Sequence, residues 1–195
     1  GKYEEAEPLY RRSMEIMEAA LGTDHPAYSI RLNNLATLLE QQGKYEEAEP
    51  LYRRSMAITE RVLGMGHPQY AIKLNNLATV LSKQGKYEEE ETLHRLAMAI
   101  TEEALGRDHP DYSVDLNNLA CVLEKQGKNE EAEPLYRRAV AIAETTLGKE
   151  HPQYSLMLNS LAGSLSQQGK LEEAETLQHR ATDITEATLG KNHPD

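Results

Sequence analysis

The sequence has one cysteine, a deficit of positive charge and no long apolar run, and each of these shortages excludes a class of protein. The single cysteine, Cys121, cannot form an intrachain disulfide, which disfavours disulfide-stapled secreted scaffolds. Lys and Arg number 21 against 32 Asp and Glu, so the formal net charge is -11. A surface of this sign repels phosphate backbones and anionic lipid headgroups. We therefore expect neither a nucleic-acid partner nor a membrane partner.

Segments for membrane insertion and export are also missing from the sequence. No apolar stretch approaches the ~20 residues that a helix needs to cross a bilayer. The first residues, Gly1 to Glu5, form neither the basic nor the apolar region of an export signal. Because 39% of the residues are apolar, the chain can nevertheless bury a core. The expectation is a folded, cytoplasmic protein.

Motifs that carry catalysis are absent as well. The sequence has no phosphate-binding glycine loop, no catalytic triad and no dinucleotide fingerprint. Cys121 has no histidine partner at a fixed spacing, and its place in the repeat described below favours a small buried residue over a reactive thiol. We therefore expect no enzyme, no catalytic residue and no cofactor.

What the sequence does contain is a tandem repeat with a period of 42 residues. Two sets of glycines recur at this spacing: Gly1, Gly43, Gly85, Gly127 and Gly169, and Gly22, Gly64, Gly106, Gly148 and Gly190. Between the glycines, apolar residues follow the i, i+3, i+4, i+7 spacing of a helix with one buried face, as in Tyr28, Leu32, Leu35, Ala36 and Leu39. Short connections make neighbouring helices antiparallel, so each repeat is predicted to be a helical hairpin.

Histidines recur with the same period, at His25, His67, His109, His151 and His193. Equivalent residues of stacked hairpins lie ~10 Å or more apart, whereas the ligands of one metal ion must converge on it. Each histidine precedes a proline, and proline is favoured at the first position of a helix. The pattern therefore predicts residues that begin helices, and no metal site.

These repeats resemble the tetratricopeptide repeats, specifically the 42-residue type found in kinesin light chains. The resemblance rests on three recurring features. A Leu-Ala pair lies on each first helix, at Leu35-Ala36, Leu77-Ala78, Leu119-Ala120 and Leu161-Ala162. A small residue recurs on the second helix, at Ala6, Ala48, Ala132 and Ala174, and an aromatic residue follows it, at Tyr10, Tyr52 and Tyr136.

The resemblance implies an all-α fold, an α-solenoid in which stacked antiparallel hairpins form a right-handed superhelix. We expect a single array over residues 1-195. Residues 1-25 correspond to the second helix of a truncated repeat, followed by four hairpins at 26-67, 68-109, 110-151 and 152-193, with 194-195 as the start of a missing repeat.

Three residues depart from the repeat pattern. Glu90 replaces the small Ala, so we expect its carboxylate either to turn to solvent or to force the hairpin apart. His94 and Gln178 replace the core Tyr, which weakens packing. The hairpins that carry these residues are predicted to open before the segment 32-64.

A column of amides on the first helices is the main candidate site, since these positions face the concave groove in the family. An Asn side chain both donates and accepts hydrogen bonds and can hold the main chain of an extended peptide. Apolar residues one turn away are predicted to form pockets for its side chains, and two lysines to contact its acidic groups. The predicted groove comprises Asn33, Asn34, Asn75, Asn76, Asn117, Asn118 and Asn159, the apolar Ile30, Ile72, Val114 and Leu156, with Thr37, Thr79, Lys83 and Lys125, and Cys121 and Gly163 at the Thr positions of the other two repeats.

Two alternatives remain open at this point. The amides can instead hydrogen-bond between adjacent hairpins, and both roles can coexist. The function that we predict is a protein-interaction scaffold that binds a peptide segment of a partner protein. The alternative is an architectural array that associates head to tail through its ends without a groove ligand. Catalysis by a groove residue is retained only because such repeats are sometimes fused to enzymes.

Overall fold

The computed structural model describes residues 2-189, and all regular secondary structure in this range is α-helical. The described residues form nine helices: α1 (Lys2–Leu21), α2 (Pro26–Gln41), α3 (Tyr45–Leu63), α4 (Pro68–Lys83), α5 (Tyr87–Leu105), α6 (Pro110–Lys125), α7 (Asn129–Thr146), α8 (Pro152–Gln167) and α9 (Leu171–Leu189). Within residues 2-104, α1 packs on α2, α2 on α3 and α3 on α4, and within residues 105-189, α6 packs on α7, α7 on α8 and α8 on α9, which confirms the predicted all-α class of stacked helical hairpins. The predicted turn at Gly190, His193 and the residues 194-195 lie outside the described residues.

The turn inside each hairpin is closed by a glycine. After α2, Gly43 has a φ of 76°, a conformation that L side chains rarely adopt. The Gly43 N–H donates to the carbonyl of Glu40 at 2.9 Å, and the Lys44 N–H donates to the carbonyl of Leu39 at 2.8 Å. This pair of bonds is the Schellman motif, which satisfies the last carbonyls of a helix. The glycine period therefore marks the points where the chain reverses.

The connection between hairpins ends one helix at glycine and begins the next at histidine. The Gly64 N–H donates to the Glu60 carbonyl at 2.8 Å. His67 is the N-cap of α4, its Nδ1 accepts the Gln69 N–H at 3.1 Å, and proline follows it. A side-chain acceptor here satisfies one of the free N–H groups of the first turn. The helix-entry role predicted for the histidines is confirmed, since equivalent caps begin α2, α6 and α8 at His25, His109 and His151.

Contacts within the chain define two units, residues 1-104 and 105-195. In the first unit, the core of the α2–α3 hairpin contains Leu35, Leu39 and Tyr52, packed with Leu77 and Leu81 of α4. The second unit buries the corresponding residues of its hairpins, Leu119, Leu123, Tyr136, Leu161 and Leu165. The repeated apolar stripe of the sequence is therefore the core of each unit.

The predicted small residues are buried in both units, except Ala6 on α1, which is half-buried. Alanine allows two helices to approach closely, and a larger side chain would overpack the contact. The buried positions are Ala36, Ala78, Ala120 and Ala162 on the first helices, and Ala48, Ala132 and Ala174 on the second helices.

For Glu90, the first of the two expected outcomes is wrong. The side chain does not turn to solvent, since Glu90 is only 3% exposed. Its Oε1 lies 3.9 Å from Nε2 of His94, which is also buried. Glu90 and His94 replace the Ala and Tyr of the other hairpins, so two departures from the repeat lie side by side on α5. Gln178, the other residue in place of Tyr, is exposed on α9.

Ion pairs bridge consecutive second helices within each unit. Glu49 accepts hydrogen bonds from Arg53 at 2.9 Å and from Lys86 at 2.8 Å, and Arg53 also donates to Glu89 at 2.7 Å. Although burial opposes the change, the bonds from Lys86 and Arg53 lower the pKa of Glu49 to about 2. The same arrangement recurs at Glu7, Arg11, Lys44 and Glu47, and at Glu133, Arg137, Lys170 and Glu173.

Candidate interaction surface on the first helices

The predicted groove residues lie on α2 and α4 in the first unit and on α6 and α8 in the second unit. Each first helix begins at a His-Pro cap, which sets the same starting register for the residues that follow. Residues separated by 42 positions therefore occupy equivalent places on these helices.

In the first unit, the asparagines connect α2 to α4. Asn33 Oδ1 accepts a hydrogen bond from Asn76 Nδ2 at 2.9 Å and another from Lys73 Nζ at 3.1 Å. Both bonds are partly buried, where competing water weakens an intramolecular hydrogen bond less than at an exposed site. Asn33 and Asn76 therefore form the hydrogen bond between adjacent hairpins that was the structural alternative for the asparagines.

Asn75 makes a different connection, from α4 to α5. Its Oδ1 lies 2.8 Å from Nδ1 of His94, within hydrogen-bond distance. His94 stands where other repeats have Tyr52 or Tyr136, so the bond depends on a residue peculiar to this hairpin. Asn75 and Asn76, adjacent in sequence, thus contact two different helices.

Thr37 belongs to an internal network. Its hydroxyl donates to the Asn33 carbonyl at 3.0 Å and lies 2.9 Å from the hydroxyl of Tyr52. The Tyr52 hydroxyl in turn donates to Glu40 at 2.9 Å. Burial, together with the nearby Glu40 carboxylate, raises the pKa of Tyr52. Thr37 therefore mainly connects α2 to α3 and contributes little to an open surface.

The apolar residues of the first unit are the most accessible part of the predicted groove. Ile30 is 55% exposed and Ile72 is 44% exposed. Asn34 is half-buried, whereas Thr79 and Lys83 are exposed, and Lys83 is the last residue of α4. An extended partner could contact these side chains without disturbing the core.

In the second unit, α6 carries a more enclosed set of residues. Val114, Asn117, Asn118 and Cys121 are half-buried, and Lys125 is exposed at the end of the helix. Among residues 2-189, no group forms a hydrogen bond with Asn117 Oδ1, although this atom is buried. A buried carbonyl oxygen without a partner is costly, so the placement of Asn117 is locally unfavourable.

On α8, the predicted groove is open. Leu156 is 66% exposed and Asn159 is exposed. Asn159 and Gly163 line a cavity of about 670 Å³ between α8 and α9, together with Gln178. Gln178 occupies the position of Tyr52 and Tyr136, and the cavity lies where these hairpins place the tyrosine.

Lys73 is a basic residue of this surface that the sequence analysis missed. It is half-buried on α4, and burial lowers its pKa because the charged form loses hydration. A basic residue also occupies the equivalent position of α2, Arg31. This recurrence was the signal that could have identified it.

The chemistry available to this surface is recognition. Amides supply paired donors and acceptors, the isoleucines supply apolar contact, and lysines supply positive charge in an acidic chain. Over residues 2-189, no three His, Cys, Asp or Glu side chains are placed to hold a metal ion together. Within the same described range, no helix has the length and hydropathy needed to span a membrane.

Comparison with known families decides what kind of repeat this is. A family model described as tetratricopeptide repeat matches residues 1–61, 31–103 and 69–145, and a second model with the same description matches residues 156–195. The chain belongs to the tetratricopeptide repeat family. The resemblance found in the sequence is thereby confirmed. Tetratricopeptide repeats typically mediate protein–protein interactions, and the family is generally non-catalytic.

Solved structures similar to this tetratricopeptide array include kinesin light chain-like proteins. A protein of this kind from Podosopora anserina, with nearly identical TPR-like repeats, is 27% identical with a TM-score of 0.77, over 98% of this chain and 90% of that chain. Its Q17M form gives 27% identity and a TM-score of 0.79, over 96% and 89% of the two chains. BtubC (BKLC) from P. vanneervenii has the same fold at 24% identity, with a TM-score of 0.80 over 100% of this chain and 77% of that chain. No curated protein sequence matches this array at a significant level.

Proposed function

We propose that the chain is an interaction scaffold that binds an extended peptide segment of a partner protein along its first helices. The observation that carries the proposal is the repeated exposure of a large apolar residue beside amides. Ile30 on α2 and Ile72 on α4 are both exposed, and Asn residues follow each of them by about one turn. An isoleucine exposed at one place could be incidental, whereas the same exposure on consecutive first helices forms a row that suits alternate side chains of a peptide.

The asparagine bonds are compatible with this role. An Asn amide carries two N–H donors and an oxygen with two lone pairs. Asn76 uses its Nδ2 group toward Asn33, and one bond does not exhaust the donors of that nitrogen. The amides therefore fix neighbouring helices while retaining groups for the main chain of a ligand.

The charge of the surface favours a partner segment with acidic residues. The chain as a whole has a net charge of -11, which repels acidic segments elsewhere. Lys83 and Lys125 are exposed at the ends of α4 and α6, and Lys83 can pair with a carboxylate there. The proposed ligand is therefore a peptide with spaced apolar side chains and at least one acidic residue.

The test is selection from a random peptide display library, run in parallel on the parent chain and on an Ile30→Ser/Ile72→Ser variant. These side chains are exposed, so the variant should remain as helical as the parent, which circular dichroism checks. A Leu171→Ser variant, with an exposed apolar residue exchanged on α9, is the matched control. We expect peptides to be enriched on the parent and the control and lost on the double variant. Failure of any peptide to be enriched on the parent would contradict the proposal.

A second candidate function is head-to-tail self-association, which one observation favours. On α1, Leu9 is 71% exposed and Ile16 is 57% exposed, whereas Ile58, the equivalent of Ile16 on α3, is buried. Exposed apolar residues of this size can form a heterologous contact between molecules. Sedimentation velocity over a range of concentrations tests this function. A monomer at all concentrations excludes it, and oligomers that a Leu9→Ser/Ile16→Ser variant abolishes support it.

A further inference from the structure

A small apolar pocket lies in the first unit, between the start of α2, the end of α3 and the start of α4. Its volume is about 130 Å³, and its walls include Pro26, Ile30, Ile58, Val62, Leu63 and Lys73. An apolar cavity of about 150 Å³ can take up a molecule with six carbon atoms, such as benzene. The pocket therefore suits an alkyl chain of about five carbons, which would bury the apolar side chains that line it.

Lys73 contributes the only charged side chain among the described residues of this wall. Its Nζ donates to Asn33 Oδ1 at 3.1 Å, a neutral partner. Over residues 2-189, no carboxylate forms an ion pair with it. An ammonium group that is half-buried without a counter-charge retains the desolvation cost that an anion would offset.

Four other lysines of the described range form ion pairs with carboxylates, which Lys73 does not. Each of these pairs is between 2.6 and 3.2 Å: Lys44 with Glu7, Lys86 with Glu49, Lys149 with Glu144, and Lys170 with Glu133. The positive charges of these four lysines are therefore already neutralised by carboxylates and attract a dissolved anion less than Lys73 does.

We propose that the pocket binds a short-chain aliphatic carboxylate, with the alkyl chain between α2 and α3 and the carboxylate on Lys73 Nζ. An ammonium group has three N–H donors, and Asn33 uses one of them. The carboxylate can accept another as a charge-assisted hydrogen bond, which is stronger than the bond to the amide. Ile30 is shared with the proposed peptide surface, but the binding of a free carboxylate does not depend on a peptide ligand.

Specificity follows from the two halves of the site. A carboxylate without an alkyl chain gains only the ion pair, which is weak where water reaches it. An alkyl chain without a carboxylate gains only the apolar contact. An amine of the same length would place its own ammonium group beside that of Lys73, and the two positive charges would repel each other. The equivalent positions in the second unit carry Asp115 and Met157, so the sequence does not repeat this combination there.

The experiment is a titration of the full chain with hexanoate, followed by methyl NMR spectra. We expect saturable shifts for the methyl groups of Ile30, Ile58 and Val62, and smaller or no shifts with acetate, 1-hexanol or hexylamine. In a Lys73→Met variant, which keeps an unbranched side chain, the affinity should fall by about tenfold or more, the effect of one charge-assisted hydrogen bond. The matched control is Lys149→Met, an exposed lysine of the second unit outside both the pocket and the proposed peptide surface, which should bind as the parent does.

A second variant separates binding from folding. Val62→Trp, on an exposed residue of the last turn of α3, should fill the pocket and abolish the shifts while Lys73 remains. The proposal is overturned if hexanoate binds the parent and Lys73→Met equally, or if hexanol binds as well as hexanoate. It is also overturned if shifts appear only with a capped Ala-Leu-Glu-Ala peptide, which would assign Lys73 to peptide recognition instead.

Discussion

At the scale of single residues, Asn33 and Asn76 show that asparagines which serve the fold differ in the groups they leave for a ligand. Its Oδ1 accepts from Asn76 and from Lys73, so both lone pairs of this oxygen are used within the first unit. The donors of Asn76 are only partly used. The amides therefore differ in what they can offer a peptide, and the acceptor of Asn33 is the least available group among them.

Removal of the Asn76 side chain should weaken the first unit. Asn76→Ala deletes the 2.9 Å bond to Asn33, and we expect a loss of about 1 kcal/mol in the free energy of unfolding. Urea denaturation followed by circular dichroism measures it. Asn159→Ala, at an exposed amide of α8, is the control and should change the stability little. Equal effects of the two substitutions would show that the bond between α2 and α4 is not stabilising.

At the scale of the helix and its ends, the turn glycines and the bridging carboxylates set how hairpins are joined. Gly43 ends α2 in a conformation that favours glycine, and Glu49 connects α3 to Lys86 before α5. The glycine turn and the carboxylate bridge recur with the repeat, so a substitution in one repeat tests a feature that is present in several.

The turn glycine gives the first test at this scale. Gly43→Ala places a Cβ at φ 76°, and we expect a destabilisation of about 1 kcal/mol from backbone strain. Gly66→Ala is the matched control, because Gly66 itself does not have a positive φ and an added Cβ there meets no atom within 4 Å. Thermal unfolding of both variants is the measurement. An unchanged melting temperature for Gly43→Ala would contradict the role of this turn.

Acid should release the bridges between second helices. The pKa of Glu49 is about 2 in the folded chain and 4.5 ordinarily, so its contribution to stability is fully present above pH 4.5 and is lost as the pH falls toward 2. In Glu49→Gln, the stability should depend less steeply on pH over this window. Glu46→Gln, at an exposed carboxylate on the same helix, should leave the steepness as in the parent. Denaturation curves between pH 2 and 6 decide between these results.

The helices and their ends could be predicted from the sequence because the signals are local and repeated. Glycine at a helix end, histidine and proline at a helix start and the Leu-Ala pair each act within a few residues of themselves. Glu90 could not be predicted in the same way, since its burial depends on His94 one turn away. The Lys73 pocket depends on three helices that converge, and no single segment of the sequence contains it.

The difference between local signals and contacts with a neighbouring helix also explains which features of the predicted groove could be read from the sequence. Exposure of Ile30 and Ile72 follows from the period, because both lie off the apolar stripe. The bonds of Asn33, Asn75 and Thr37 depend on which residue the neighbouring helix presents. The ligand role of these residues remains a proposal.

At the scale of the whole molecule, the hairpins are not equally secured. The α2–α3 hairpin is closed by the bonds of Tyr52 to Thr37 and Glu40. In the α8–α9 hairpin the equivalent residues are Gln178, Gly163 and Ser166, and an open cavity takes the place of the ring. In a repeat protein, local stability varies with the contacts of each hairpin.

Hydrogen exchange should reveal this difference. We expect the amides of α8 and α9 to exchange earlier than those of α2 and α3, because fewer buried contacts close the last hairpin. A Gln178→Tyr/Gly163→Thr/Ser166→Glu variant restores the residues of the α2–α3 hairpin and should slow the exchange of α9. Uniform protection of the parent across the described helices would contradict this account.

The most direct test of the central claim is hydrogen exchange of the chain with and without the strongest peptide from the display selection. If the first helices form the recognition surface, the bound peptide should slow exchange in α2 and α4 around Ile30 and Ile72, with little change in α1 and α9. Protection confined to α1, or to the outer faces of the second helices, would contradict the claim and assign recognition to another surface.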